Sequence, residues 1–65
     1  MSKSAAQIFK EARLKKGLTQ VEVAKRAGLH PNTYAKLERG PQKPEFPTVK
    51  KLAKALDIDI DDIPA

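Results

Sequence analysis

Between Leu18 and Leu37 the apolar side chains recur at three- and four-residue steps. Val23, Ala24 and Ala27 come first, then, beyond Leu29, Tyr34 and Leu37, with charged and amide residues between them. This spacing places the apolar residues on the facing sides of two short helices. The borders are marked as clearly as the faces. Thr19 followed by Glu22, with Leu18 before it and Val23 after it, is a capping box with a hydrophobic staple, so the orphan N–H groups of the first turn are satisfied locally. Gly28 ends that helix after Ala27, because glycine enters the left-handed region without a Cβ penalty. The second helix of the pair starts with His30 as its N-cap and Pro31 at its first position, where a missing N–H costs nothing, and it closes at Gly40 after Arg39.

The same reading extends outward. Ser4 to Lys16 predicts a first helix with Ala5, Phe9 and Ala12 inward, Lys15 and Lys16 against its C-terminal dipole, and Gly17 at its end. Pro41 to Pro44 reads as a rigid loop. A fourth helix is expected to start between Glu45 and Thr48, with Pro47 in its first turn, and to bury Val49, Leu52, Ala53 and Leu56. Ile58, Ile60 and Ile63 then close the bundle, with a last short helix from Asp59 to about Asp62. The expected fold class is therefore all-α, a compact five-helix bundle. No repeat, linker or low-complexity segment interrupts residues 1–65, so one domain is expected. Ile60 and Ile63 either finish its core or line a two-fold contact.

Composition narrows the chemistry. A chain of 65 residues builds only a minor core, too small for an ordinary enzyme cleft, and with no cysteine it has neither a disulfide nor a Cys-based zinc site to lean on. No nucleophile–base pair, carboxylate dyad or phosphate loop is visible, so catalysis and cofactors are not expected. His30 is the only histidine, and a lone imidazole is no metal site. No apolar run reaches the roughly 20 residues of a membrane span and no signal-peptide pattern opens the chain, which leads us to expect a cytoplasmic protein without a membrane partner. The charge is uneven: all 13 Lys and Arg lie in residues 1–56 against Glu11, Glu22, Glu38 and Glu45, a net +9, while Asp57, Asp59, Asp61 and Asp62 make the remainder acidic. An electropositive body of this kind attracts a polyanion. The outer face of the helix after Pro31 carries Asn32, Thr33, Lys36 and Arg39, side chains suited to base edges and phosphates, and a tight helix pair is a device for placing a helix in a DNA groove.

Gly17-Leu18-Thr19-Gln20, Val23-Ala24, Gly28-Leu29, Leu37-Glu38-Arg39-Gly40 and Leu52-Ala53-Lys54-Ala55-Leu56, in this order and spacing, resemble the phage repressor and Cro family of helix-turn-helix domains, also called XRE-like. The resemblance covers roughly Phe9 to Ile63. It implies a lambda-repressor-like fold in which the third helix, about 31–39, reads the major groove and the second lies across it. It also implies an internal ion pair between Arg13 and Glu38, joining helix one to helix three. Two positions depart from the family pattern. His30 stands where serine or threonine is usual, which weakens the cap, and Pro31 stands where a long polar residue is common, which removes a base donor. Base reading then falls on Asn32, Thr33 and Lys36, with Gln20 grouped beside them although its position also reaches a phosphate. Phosphate contacts are expected from Thr19, His30, Arg39, Gln42 and Lys43. Tyr34 falls where a branched aliphatic is usual, and its ring is expected in the core with the hydroxyl at the rim.

Together these features point to sequence-specific binding of double-stranded DNA by a bacterial or phage transcriptional regulator, a repressor, with no small-molecule substrate. Family members usually act as dimers on palindromic sites, and self-association of this chain is left open. The alternative from another class is the same fold used for protein–protein interaction, as in antitoxin or coactivator relatives. Loss of the basic surface around Gln20, Asn32 and Lys36 would favour that alternative, and those residues are intact.

Overall fold

The computed structural model describes residues 3–40 and 44–63. Four α-helices follow one another, α1 (Ala5–Lys15), α2 (Gln20–Ala27), α3 (Pro31–Arg39) and α4 (Phe46–Leu56), and a single 3₁₀ turn (Ile60–Asp62) follows them. Helix α2 packs on α3 and α4, and α1 packs on the same two helices.

Local chemistry explains most of the borders. Helix α1 starts one residue later than expected because Ser4 is its cap: the Gln7 N–H donates to Ser4 Oγ at 3.3 Å while the Ser4 N–H donates to Gln7 Oε1 at 3.1 Å. This second capping box, Ser-x-x-Gln, is legible in the chain. In α2 the Glu22 N–H donates to Thr19 Oγ1 at 3.1 Å and the Thr19 N–H to Glu22 Oε1 at 2.9 Å, which holds the Glu22 carboxyl below its ordinary value. Gly28 closes α2 at φ +70°, and the Leu29 N–H then reaches back to the Ala24 carbonyl at 2.8 Å. A side chain at Gly28 would meet no atom within 4 Å, so the requirement for glycine there is the backbone angle and not space. Helix α4 closes by the same route with an aspartate: Asp57 sits at φ +60°, and the Ile58 N–H donates to the Ala53 carbonyl at 2.8 Å.

The core gathers Phe9 from α1, Val23, Ala24 and Ala27 from α2, Tyr34 from α3, and Val49, Leu52 and Leu56 from α4. Full burial of each large apolar side chain contributes about 1.5–3 kcal/mol, and this term fixes which faces of the helices meet. Leu18, Leu29, Leu37, Ile58, Ile60 and Ile63 are partly buried and pack against the same core.

The expected fifth helix is corrected to one 3₁₀ turn. The Asp62 N–H donates to the Asp59 carbonyl and the Ile63 N–H to the Ile60 carbonyl, both three residues back and not four. Asp59 caps the turn by accepting from the Asp61 N–H at 3.0 Å, and Ile63 is already extended at φ −98°, ψ 123°. Ile63 precedes Pro64, and a residue before proline is driven out of the helical region. Too few residues remain between Asp59 and Ile63 for an α-helical turn to propagate.

Candidate nucleic-acid interface

Helix α3 divides its side chains cleanly. Tyr34 is buried and Leu37 partly buried, whereas Asn32, Thr33, Lys36 and Arg39 are exposed. Its start depends on His30, whose Nδ1 accepts the Asn32 N–H at 3.1 Å, so the imidazole works as an N-cap and keeps Nε2–H as its free donor. Thr19 is in a similar position at the start of α2. Its hydroxyl oxygen is occupied by the Glu22 N–H, and the hydroxyl proton remains to be given. Gln42 and Lys43, both expected to touch phosphate, lie outside the described residues.

The one carboxylate of α3 is turned inward. Arg13 Nε donates to Glu38 Oε2 at 2.6 Å and Arg13 Nη2 to Glu38 Oε1 at 3.1 Å, a bidentate pair in which the side chains are only 13% and 4% exposed. Arg13 Nη1 also donates to the Leu18 carbonyl at 2.9 Å, so one guanidinium spans α1, the loop before α2, and α3. Burial pushes the Glu38 carboxyl up, but donation from Arg13 and Gln20 outweighs it and holds the group below its ordinary value. The hydrogen bond to Glu38 in turn raises Arg13. As a result the outer face of α3 shows the cations Lys36 and Arg39 and no uncompensated negative charge.

One expectation changes here. The Tyr34 hydroxyl is not at the rim. The residue is fully buried, its O–H donates to the Phe9 carbonyl in a long contact of 3.5 Å, and it lies beside the Arg13–Glu38 pair, whose polar atoms make burial tolerable. Burial is the main cause that raises its pKa well above the ordinary tyrosine value. Gln20 is half-buried, and its Nε2 donates to Glu38 Oε1 at 2.9 Å. Sequence spacing carried no sign of that bond, since the two residues lie 18 positions apart.

Beside this network an open cleft of about 460 Å³ is lined by Lys10, Arg13, Gln20, Ala35, Glu38 and Arg39. With Arg13 neutralised by Glu38, its free charges are those of Lys10 and Arg39. Lys10 was not anticipated, although its position one turn before Arg13 on α1 places both on one side of that helix.

Residues 9–63 match the helix-turn-helix family model HTH_3. The chain belongs to that helix-turn-helix family. Among related proteins, the cryptic phage CTXphi transcriptional repressor RstR of Vibrio cholerae is 40% identical over 52 residues, which is 80% of this chain and 47% of RstR. This helix-turn-helix chain therefore spans about half the length of that repressor. An HTH-type transcriptional regulator of Archaeoglobus fulgidus is 39% identical over 55 residues, covering 85% of this chain and 78% of the regulator. Among solved structures, the restriction-modification controller protein C.AhdI from Aeromonas hydrophila superposes with a TM-score of 0.83 at 34% identity, over 89% of this chain and 88% of the other. SinR, the master regulator for biofilm formation solved in complex with DNA, superposes with a TM-score of 0.82 at 28% identity, over 88% and 92%. No helix among the described residues of this family member is long and apolar enough to cross a membrane.

Proposed function

We propose that this helix-turn-helix chain binds double-stranded DNA sequence-specifically as part of a transcriptional repressor, by insertion of α3 into the major groove and without cofactor or catalysis. The observation that carries this reading is the split of α3: Asn32, Thr33, Lys36 and Arg39 lie on its solvent side, Tyr34 is in the core, and the acid Glu38 is folded inward onto Arg13. A helix about 10–12 Å across with its side chains fits a major groove about 12 Å wide. Asn32 offers the donor–acceptor pair that matches adenine, Lys36 donates to guanine O6 and N7, and Thr33 meets either base or a thymine methyl. Pro31 at the head of the helix has no donor, so the reading begins at Asn32.

Thr19, His30 and Arg39 serve beside this face as phosphate anchors, Gln42 and Lys43, outside the described residues, are assigned the same role, and Gln20 approaches from the start of α2. The anchors set position and salt dependence, and the α3 side chains set sequence. The repressor RstR and the DNA-bound SinR support the reading by similarity. Two copies on a palindromic site, in the cytoplasm, complete it.

Selection of bound duplexes from a random pool at physiological salt is the deciding experiment. A defined consensus supports the reading, and a palindromic one supports paired copies. Recovery of no preferred sequence would overturn it in favour of the protein-interaction use of the same fold.

A further inference from the structure

We infer that Glu38 is a positioning residue for readout: it turns the Gln20 carboxamide nitrogen-inward, so that Gln20 presents its carbonyl oxygen and remaining N–H to an adenine edge instead of anchoring a phosphate. The inference rests on the proposed DNA-binding reading and names the partner of one residue within it. Glu38 Oε1 accepts from Gln20 Nε2 at 2.9 Å and from Arg13 Nη2 at 3.1 Å, while Oε2 is held by Arg13 Nε at 2.6 Å. An ionised carboxylate only accepts hydrogen bonds, so it cannot hold the Gln20 amide the other way round, oxygen inward. The guanidinium fixes the carboxylate, the carboxylate fixes the amide, and the chain of bonds joins α1 through α3 to the first residue of α2.

The outward half of Gln20 follows from this. One of its two N–H groups is committed to Glu38, and among the described residues its oxygen accepts from no group and no side-chain polar atom is buried without a partner, so that oxygen is open to solvent. Ala35 lines the same cleft and stands one turn beyond Asn32 and next to Lys36 on α3, so Gln20 works at the edge of the reading face. An oxygen with an N–H beside it complements adenine N6 and N7 in the major groove. A phosphate, whose oxygens only accept, would use the remaining N–H alone and leave the amide oxygen unmatched. Guanine presents two acceptors there and is disfavoured for the same reason.

Two readouts test this on the full chain. In the ¹⁵N-labelled free protein, one Gln20 side-chain amide proton is expected to be shifted downfield and slow to exchange, and to lose both properties in Glu38→Gln. Against the selected duplex and all its single-base variants, Gln20→Met is expected to cut discrimination for adenine at one base pair about tenfold, with the salt dependence unchanged. Glu38→Gln is expected to lose discrimination at that same base pair, and the double variant no more than either alone. Should Glu38→Gln fail to fold, Gln20→Met decides, because it leaves the Arg13–Glu38 pair in place. A Gln20 amide indistinguishable from that of a free glutamine overturns the inference. So does a Gln20→Met variant that weakens every sequence alike and lowers the salt slope by about 1, the mark of a phosphate contact. A chain that prefers no duplex while the amide signature persists refutes the DNA-binding reading, and reduces the Glu38–Gln20 bond to a structural one.

Discussion

Arg13 and Glu38, 25 residues apart in sequence, are joined by two hydrogen bonds of 2.6 and 3.1 Å that tie α1 to α3. Because both side chains are largely shielded, removing one strands a charge where water reaches it poorly. Arg13→Ala or Glu38→Ala is expected to cost about 1–4 kcal/mol, and the double replacement less than the sum of the two. Denaturant melts of the four proteins in the cycle measure this; strict additivity would show that the pair does not act as a unit.

The same pair sets an acid limit on the fold. The Glu38 carboxyl lies below its ordinary value in the folded chain, its donors outweighing the upward push of burial. A depressed folded pKa contributes stability that is fully present above the unfolded value of about 4.3 and is lost as pH falls through the folded value. The melting temperature is therefore expected to hold between pH 7 and 5 and to fall below about pH 4. In Glu38→Gln the melting temperature is lower at neutral pH and the part of the acid decline due to this group disappears. Melts at stepped pH compare the two slopes, and equal slopes would remove Glu38 from the acid transition.

Asp57 is the only non-glycine residue at positive φ among the described residues, at +60°. Left-handed backbone costs an L-residue about 1–2 kcal/mol, less for aspartate and asparagine. Asp57→Gly is expected to be neutral or stabilising by up to about 1 kcal/mol, and Asp57→Val to destabilise by more than 1 kcal/mol. The contrast to measure is Gly28→Ala, which introduces the strain at φ +70° and is expected to cost about 1 kcal/mol.

Readers and anchors on the proposed DNA face are expected to differ in kind. Asn32→Ala is expected to cost about 1–3 kcal/mol on the preferred duplex and to relax preference at one base pair. Arg39→Ala is expected to weaken all sequences alike and to lower the salt slope by about 1, since one fewer counterion is released. Binding of each variant to every single-base change of the site, at several salt concentrations, separates the two. Base preferences unmoved by Asn32→Ala but altered by Arg39→Ala would mean that α3 enters the groove the other way round.

Most of the helix borders were legible in the chain because the signals are local. Thr19 with Glu22, Gly28 after Ala27 and Pro31 after His30 act within a few residues of the bonds they make, so neighbouring letters determine where α2 stops and α3 begins. The inward faces were legible for a related reason, since burial of Phe9, Val23, Tyr34 and Leu52 at helical spacing is the main favourable term in a core this small. Even the 3₁₀ turn had its cause in the sequence, in the Pro64 that follows Ile63, although the run of isoleucines suggested more helix than the turn contains.

The network around Glu38 was decided by the tertiary structure. The Arg13 pair was expected only through the family resemblance, and neither the buried Tyr34 hydroxyl beside it nor the Gln20 bond on its other side was anticipated. Those contacts depend on how closely α1, the start of α2 and α3 approach one another. That distance is set by the packing of side chains from distant parts of the chain, Phe9 and Val23 against Tyr34 and Leu52, and no spacing of letters records it. The sequence by itself therefore determined the helices, their buried faces and the positive body. The crossing of those helices determined which polar atoms meet, and so which atoms of Gln20 are left free.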